Sequence, residues 1–450
     1  MLQSSFLTDL LATITNRSQH TSVTRDTRPI EELCKVLLSD IGDVSANKVA
    51  RAILEKYRRM DTDQRAGFFR HLAEDFDIDP DTVVALARQY GQTHATADLA
   101  ALTAHAEPRR QEILRRLNRV PGATADLVAM RCDLFDAIRA DPALARIDLD
   151  FAHLFGSWFN PGFLVLRRIN WTSPANILEK IIAYEAVHAI DSWDALRLRL
   201  LPEDRQCFAY FHPCMPEEPL IFVEVALTNG IPGNIQSVLA EDRAATPADK
   251  RDTAVFYSIS NCQAGLRGIS FGNALIKHVV DDLSASLPQL KTFVTLSPIP
   301  GFRGWIDGIL EALPKIEADS LRTALVHASA GPDKANDKIN DKSVEKSTET
   351  LRRYIAHYLV NEKRPKGGPA NAVARFHLGN GAIVQDVHPH GDMSDNGLRT
   401  SYGAMVNYLY DPARIDRNIE GFTTTGAVAT SRTIASLLKS APITASKADS

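Results

Sequence analysis

At 450 residues the chain is longer than one ordinary hydrophobic core, so two domains are expected. Hydrophobic residues make up 44% and charged residues 24%, the balance of a soluble globular protein, and a net charge of −4 gives no basic footprint, which argues against nucleic acid as a main partner. Cys34, Cys132, Cys207, Cys214 and Cys262 lie far apart with no CxxC pair, so a structural zinc site is not expected and a reducing, cytoplasmic location is.

No apolar run approaches the roughly 18 residues needed to cross a bilayer, so no membrane partner is expected. The stretch MLQSSFLTDLLATITNRSQHTSVTRDTRPI has the Ser, Thr and Arg content of a transit peptide, but Asp9 and Asp26 argue against that reading. The terminal SKADS is not a peroxisomal SKL tripeptide.

From Ile30 to about Leu149 the pattern is helical. IEELCKVLLSDIG, KVARAILEKYRRM, GFFRHLAEDF, DTVVALARQY, RRQEILRRLNRV and ATADLVAMRCDLFDAIRA each repeat apolar residues at helical spacing, and strand signals are nearly missing. The segment 1–157 therefore reads as an all-α helical bundle serving packing or oligomerisation.

The character changes near Trp158. FLVLRRINW, CFAYFH, LIFVEVAL, TAVFYSIS, FVTLS, AVARFHL and AIVQDV are short runs rich in β-branched and aromatic residues, each bounded by Pro, Gly or Asn, and read as strands. Helical patterns at Ser173–Val187, Asn273–Leu283 and Glu349–Val360 lie between them, so residues 158–450 are expected to form an α+β domain on a mixed sheet. The polar tract GPDKANDKINDKSVEKSTET reads as a mobile insertion or a solvated helix.

Three constellations carry chemistry. In QAGLRGISFGN, Gly265, Gly268 and Gly272 follow a strand and precede a helix, a turn whose N–H groups suit a pyrophosphate or a developing oxyanion. It is neither a Walker loop nor a dinucleotide fingerprint. Ser297 is held extended by Pro298, with Pro300 and Gly301 leading into a helix, so its hydroxyl is fixed at a strand end. His377 is expected at the end of a strand. Asp386, His388, His390 and Asp392 cluster in DVHPHGD without the spacing of a firm metal site, and no metal is assigned. Tyr408 and Tyr410 would share one face of a strand, either core or pocket. His212 reads as part of a hairpin connection.

The segments FHPCMPEEPLIFVEVAL, AVFYSISNCQAGLRGISFGNALIKHVVDDL, TLSPIPGF, VARFHLGNGA and MVNYLYD resemble the malonyl-CoA decarboxylase family from about Ile169 to Asp411. The resemblance implies an N-terminal helical domain used in oligomerisation, as a dimer or tetramer. It implies an acetyltransferase-like catalytic domain that turns malonyl-CoA into acetyl-CoA and CO2 with no metal or organic cofactor. By that resemblance Ser297 and His377 are the catalytic pair and Tyr410 lines the same site. The loop Arg267, Gly268, Ile269, Ser270, Phe271, Gly272 and Asn273 would then bind the coenzyme and the thioester. Some relatives carry a glutamate where Ser270 stands. Lys277, Arg303 and Arg267 are the candidate partners for the coenzyme phosphates. The rival on the same fold, an acyl-CoA-dependent N-acetyltransferase using Tyr408 or Tyr410 as its acid, is opposed by the long TLSPIPGF match.

Overall fold

The computed structural model describes residues 26–330, 341–365 and 367–439. Most of the stretch weighed as a transit peptide, the C-terminal tail and half of the polar tract lie outside these residues; the other half of the tract is helical. The chain divides after Phe155 into two compact units.

The first unit is built of α1 (Ile30–Leu37), α2 (Asp43–Arg58), α3 (Thr62–Asp75), α4 (Pro80–Thr93), α5 (Thr96–Ala106), α6 (Arg109–Leu117), α7 (Ala123–Ala140) and α8 (Ala145–Trp158), which runs on across the boundary. Its core collects the helical-period residues Leu33, Leu37, Ile53, Phe68, Phe69, Ile113, Leu127 and Phe151, all buried. Asp61 starts α3 through a reciprocal capping box with Gln64, which satisfies two otherwise orphaned N–H groups. The α4–α5 pair differs from the rest, for neither helix buries a residue, and Val84 and Leu99 stay 48% and 42% exposed.

The second unit carries an eight-stranded mixed sheet: β1 (Val165–Ile169), β2 (Arg205–His212), β3 (Met215–Thr228), β4 (Thr253–Asn261), β5 (Thr292–Thr295), β6 (Ser297–Pro298), β7 (Ile383–His388) and β8 (Met405–Tyr410). β1 to β4 form an antiparallel run, β4 and β5 pair in parallel, and β8 is antiparallel to β5, β6 and β7. The helices are α9 (Ala175–Tyr184), α10 (Trp193–Leu200), α11 (Ile235–Leu239), α12 (Leu275–Ser286), α13 (Phe302–Leu310), α14 (Lys315–Ala330), α15 (Asp341–Val360), α16 (Ala372–Gly379), α17 (Asp395–Ser401), α18 (Ile415–Thr425) and α19 (Arg432–Lys439). An antiparallel run joined by one parallel step to an antiparallel far half is the α+β, acetyltransferase-like architecture that the resemblance implied.

Two local features open this sheet. Glu224 on β3 pairs with Ser258 while Val225 pairs with Phe256, so Tyr257 is an extra residue, a bulge that bends β4. Pairing between β4 and β5 stops at Phe256 and Thr295. Beyond that point β4 runs on to Asn261, while the chain at Ser297 and Pro298 pairs only with β8. A gap therefore separates β4 from β6. Beneath the bulge, Arg199 donates to the buried Glu224 carboxylate at 2.9 Å, and burial pushes that carboxyl up to about 7.

One predicted strand is wrong. AVARFHL forms helix α16, not a strand. Its buried residues Ala374, His377 and Leu378 fall at i, i+3 and i+4, a helical face, and Asn371 caps it by accepting from the Ala374 N–H at 2.8 Å. Asn371 also donates through Nδ2 to Pro300 O at 2.8 Å, which ties the start of α16 to the turn after Ser297. Replacing this buried residue by alanine removes both bonds. Asn371→Ala is expected to cost about 2 kcal/mol in urea unfolding, and a stability equal to that of the unsubstituted protein would refute this role.

Candidate active site

β5 and β6 keep one register against β8: Phe293 pairs with Tyr410, Val294 with Leu409, Ser297 with Val406 and Pro298 with Met405. The period of two then places Thr295, Ser297, Tyr408 and Tyr410 on one face of the sheet. His377, 2% exposed, reaches this face from α16. Its ring stacks on Tyr408 with centroids 4.5 Å apart and planes 23° from parallel. Its Nε2 lies 3.2 Å from Ser297 Oγ, and its Nδ1 lies 2.7 Å from Tyr410 OH.

The bonding pattern assigns the protons. Tyr410 OH is buried and, among the described residues, bonds only Nδ1 of His377. If the imidazole donated from Nδ1, the phenolic hydrogen would have no acceptor among the described residues, so the phenol donates. Nε2 then carries the ring hydrogen and donates to Ser297 Oγ, whose own hydroxyl donates to Thr295 Oγ1 at 2.9 Å. Thr295 Oγ1 is fixed in turn by the Tyr408 N–H at 3.2 Å. Burial pushes His377 down to about 3, so the imidazole is neutral at physiological pH, and burial likewise holds the Tyr408 and Tyr410 phenols above their ordinary range.

A cavity of about 250 Å³ occupies the gap in the sheet. It is lined by Ile221, Phe256, Tyr257, Ile259 and Asn261, by Ser297 and Pro298, by Ala372, Val373, Phe376 and His377, and by Val187. The walls are mostly apolar, and Ser297 and His377 present polar groups to them, the usual make-up of a small-molecule site.

The glycine loop lies beside this cavity. It forms two short turns, Ala264–Leu266 and Gly272–Ala274, around Gly268 at φ 83°, and α12 begins only at Leu275. Among the described residues, none from 267 to 273 lines the cavity. Gly272 abuts its wall: a Cβ there would stand 3.1 Å from Ile221 Cδ1 and 3.7 Å from Phe376 Cε2. Arg267, Ile269, Ser270 and Phe271 belong to the same loop, and Asn273 is described by its backbone only.

Of the DVHPHGD residues, Asp386, His388 and Asp392 are spent on structure. Asp386 pairs with Arg352 at 2.6 Å, His388 Nε2 bonds Asn407 Oδ1, and Asp392 accepts from Gln236 and Ser394. Among the described residues no group of three His, Cys, Asp or Glu side chains could hold a metal ion. His212 joins the β2–β3 hairpin, donating to Trp158 O and accepting from the Cys214 N–H. Sequence reasoning missed Thr295 and Asn371. Thr295 had a signal, two residues before Ser297 on a predicted strand; Asn371 lost its signal when α16 was read as a strand.

A sequence profile described as "Malonyl-CoA decarboxylase C-terminal domain" matches residues 162–448, and one described as "Malonyl-CoA decarboxylase N-terminal domain" matches residues 76–159. The chain belongs to the malonyl-CoA decarboxylase family. It is 33% identical over 398 residues to the mitochondrial malonyl-CoA decarboxylase of Anser anser anser, covering 81% of this chain and 78% of that protein. The mitochondrial enzyme of Mus musculus is also 33% identical, over 77% of this chain and 76% of its own length. The crystal structure of malonyl-CoA decarboxylase from Agrobacterium vitis is 46% identical with a TM-score of 0.84, covering 91% of this chain and 99% of that one. That from Rhodopseudomonas palustris is 45% identical with a TM-score of 0.81, covering 90% and 98%. Membership in this family of carboxy-lyases supports decarboxylation of malonyl-CoA as the reaction.

The neutral imidazole has a consequence for stability. His377 falls from 6.5 when exposed to about 3 when folded, so between these values the unfolded chain binds a proton that the native state does not. This contribution is complete above pH 6.5 and is lost as the pH falls toward 3, by up to about 1.4 kcal/mol per pH unit. Unfolding free energy should therefore drop more steeply on acidification in the unsubstituted protein than in His377→Gln, and parallel slopes would contradict a buried neutral imidazole.

Proposed function

We propose that this chain converts malonyl-CoA to acetyl-CoA and CO2 in the cavity between β4 and β6, with Ser297 and His377 handling the carboxylate and the proton. The observation that carries the reading is the Ser297–His377–Tyr410 chain of hydrogen bonds at the wall of that cavity.

The chemistry sets three needs. When the bond to the carboxylate breaks, its electrons pass into the thioester and leave an enolate, whose oxygen needs preorganised donors. Gly268, Phe271 and Gly272 have N–H groups with no acceptor among the described residues, and Gly272 is where the loop meets the cavity wall. We assign the enolate donor to Gly272 and the rest of the 267–273 loop to the coenzyme. The α-carbon then needs a proton. The Nε2–H of His377 points at Ser297 Oγ, so the serine hydroxyl, turned from Thr295 Oγ1 to the substrate, delivers its proton to carbon as the imidazole replaces it; Tyr410 steadies Nδ1 by its hydrogen bond, and a proton from water restores the couple once product leaves, so that one solvent proton is taken up per turnover. Finally, the acyl arm must be held extended. Past Phe256 the edge of β4 facing the gap has no strand partner, and its peptide groups suit the amides of a pantetheine arm, as a sheet edge suits an added strand.

Ser297→Ala and His377→Asn are each expected to lower turnover about tenfold to a hundredfold, the scale of a lost acid–base group. The assay mixes malonyl-CoA with the protein alone and follows acetyl-CoA. Product formed only when an amine is supplied would transfer the protein to the N-acetyltransferase reading. Near-normal turnover in both variants would remove the pair.

We also propose that the chain forms a homo-oligomer through the α4–α5 pair. Two helices of 14 and 11 residues that bury nothing lack the tertiary packing on which helices of that length depend, so a second copy is the natural cover. Val84→Glu combined with Leu99→Glu should shift the particle to a smaller species in analytical ultracentrifugation; an unchanged mass would rule this face out. A cytoplasmic, reducing location is proposed on the five free thiols, although the animal relatives bear the word mitochondrial in their names. Among the described residues no helix is long and apolar enough to cross a membrane.

A further inference from the structure

Two cations nominated from the sequence for the coenzyme phosphates already have protein partners. Lys277 Nζ lies 3.4 Å from Asp416, and Arg303 donates to Leu398 O, lies 3.7 Å from Asp307 and covers the Tyr402 ring at 4.4 Å. A different set is unbalanced. Lys363 and Arg364 lie in the loop that leads into α16, and Arg375 lies on α16 itself. Among the described residues none of the three has a carboxylate within ion-pair distance, and the adjacent Glu362 is turned to His357 Nε2 at 3.3 Å.

The fold gathers these charges rather than letting them spread. The Arg364 N–H donates to Gly368 O at 3.0 Å and the Gly367 N–H to Arg364 O at 2.9 Å, a turn that needs the left-handed Gly367 and Gly368 at φ 83° and 73°. Arg375 Nη1 donates to Pro369 O and Ala370 O, each at 2.7 Å, which closes the loop onto the helix. A Cβ built at Gly368 would stand 3.8 Å from both Arg364 Nη2 and Arg375 Cδ, so the two arginine side chains flank one glycine. Burial, and next the Arg364 charge, pull the Arg375 guanidinium down, the mark of like charges held together. On the same helix Ala372, Val373 and Phe376 line the cavity, and Phe376 is the side chain against Gly272.

We propose that Lys363, Arg364 and Arg375 form the site for the phosphate groups at the nucleotide end of the substrate, a nucleoside 3′,5′-phosphate moiety. This rests on the reading that the substrate is a coenzyme A thioester. Guanidinium groups bind phosphate through paired, charge-assisted bonds, and an anion here relieves the mutual repulsion of the loop while the acyl arm runs past α16 into the cavity. Lys277 is left to its ion pair with Asp416.

The test is calorimetric titration with adenosine 3′,5′-bisphosphate, a probe that needs no turnover. The exposed Arg364 is replaced in Arg364→Gln, with thermal melting to check folding and Lys277→Gln as a comparison cation. Binding should weaken about tenfold or more in Arg364→Gln, change less than about twofold in Lys277→Gln, and weaken with added salt in the unsubstituted protein. In activity assays the KM for malonyl-CoA should rise in Arg364→Gln far more than the KM for malonyl-pantetheine, which has no nucleotide. Unchanged bisphosphate binding in a folded Arg364→Gln overturns the site. So does inorganic phosphate binding as tightly as the bisphosphate. Bisphosphate binding that depends on Arg364, in a protein that leaves malonyl-CoA intact, would uphold the site and refute the decarboxylase reading instead.

Discussion

The antiparallel pairing of β5–β6 with β8 in a single register is the constraint on which the candidate site depends. Shifting that pairing by one residue would turn every side chain to the other face. The register puts Thr295, Ser297, Tyr408 and Tyr410 on one side, where a single buried imidazole can stack on one tyrosine, bond a second and reach the serine. Asn407, between the two tyrosines, faces the other way and holds the strand by donating to Thr295 O and Pro232 O.

A second constraint opens the cavity. A sheet with continuous pairing has no gap, and the gap here follows from the extra residue at Tyr257 together with the proline after Ser297. The bulge bends β4 away, and Pro298 has no N–H to continue a ladder. The Arg199–Glu224 pair lies under the bulge in a site where burial opposes charge, so it contributes less to stability than to holding one arrangement of β3 and β4. Asn371 completes the geometry by binding the first turn of α16 to the Ser297 turn, so that the histidine and the serine belong to one rigid piece.

Electrostatics divides the work between two regions. The interior around His377 is neutral and desolvated, where hydrogen bonds are strong and a charged imidazole is disfavoured. Positive charge gathers at Arg364 and Arg375, the latter on the helix whose Ala372, Val373 and Phe376 line the cavity. An anionic substrate held by its far end would bring its reacting carboxylate into the less polar part of the site.

The sequence by itself determined the helical N-terminal region, six of the eight strands, the extended Ser297 and the shared face of Tyr408 and Tyr410. Each of these is set by local periodicity or by proline, which act over a few residues. It also carried the long TLSPIPGF and FYSIS…GISFGN segments by which the family resemblance could be stated. It misjudged AVARFHL, because a short apolar run bounded by Asn and Gly fits either state and only the cap at Asn371 and its bond to Pro300 decide for the helix. The tertiary structure alone decided that Ser297 and His377, 80 residues apart, stand 3.2 Å from each other, that the glycine loop flanks the cavity without lining it, and that Lys277 and Arg303 stand near carboxylates while Lys363, Arg364 and Arg375 have none within ion-pair distance among the described residues. Those outcomes depend on strand register and on which charges meet across the fold, and neither is encoded in the spacing of nearby residues.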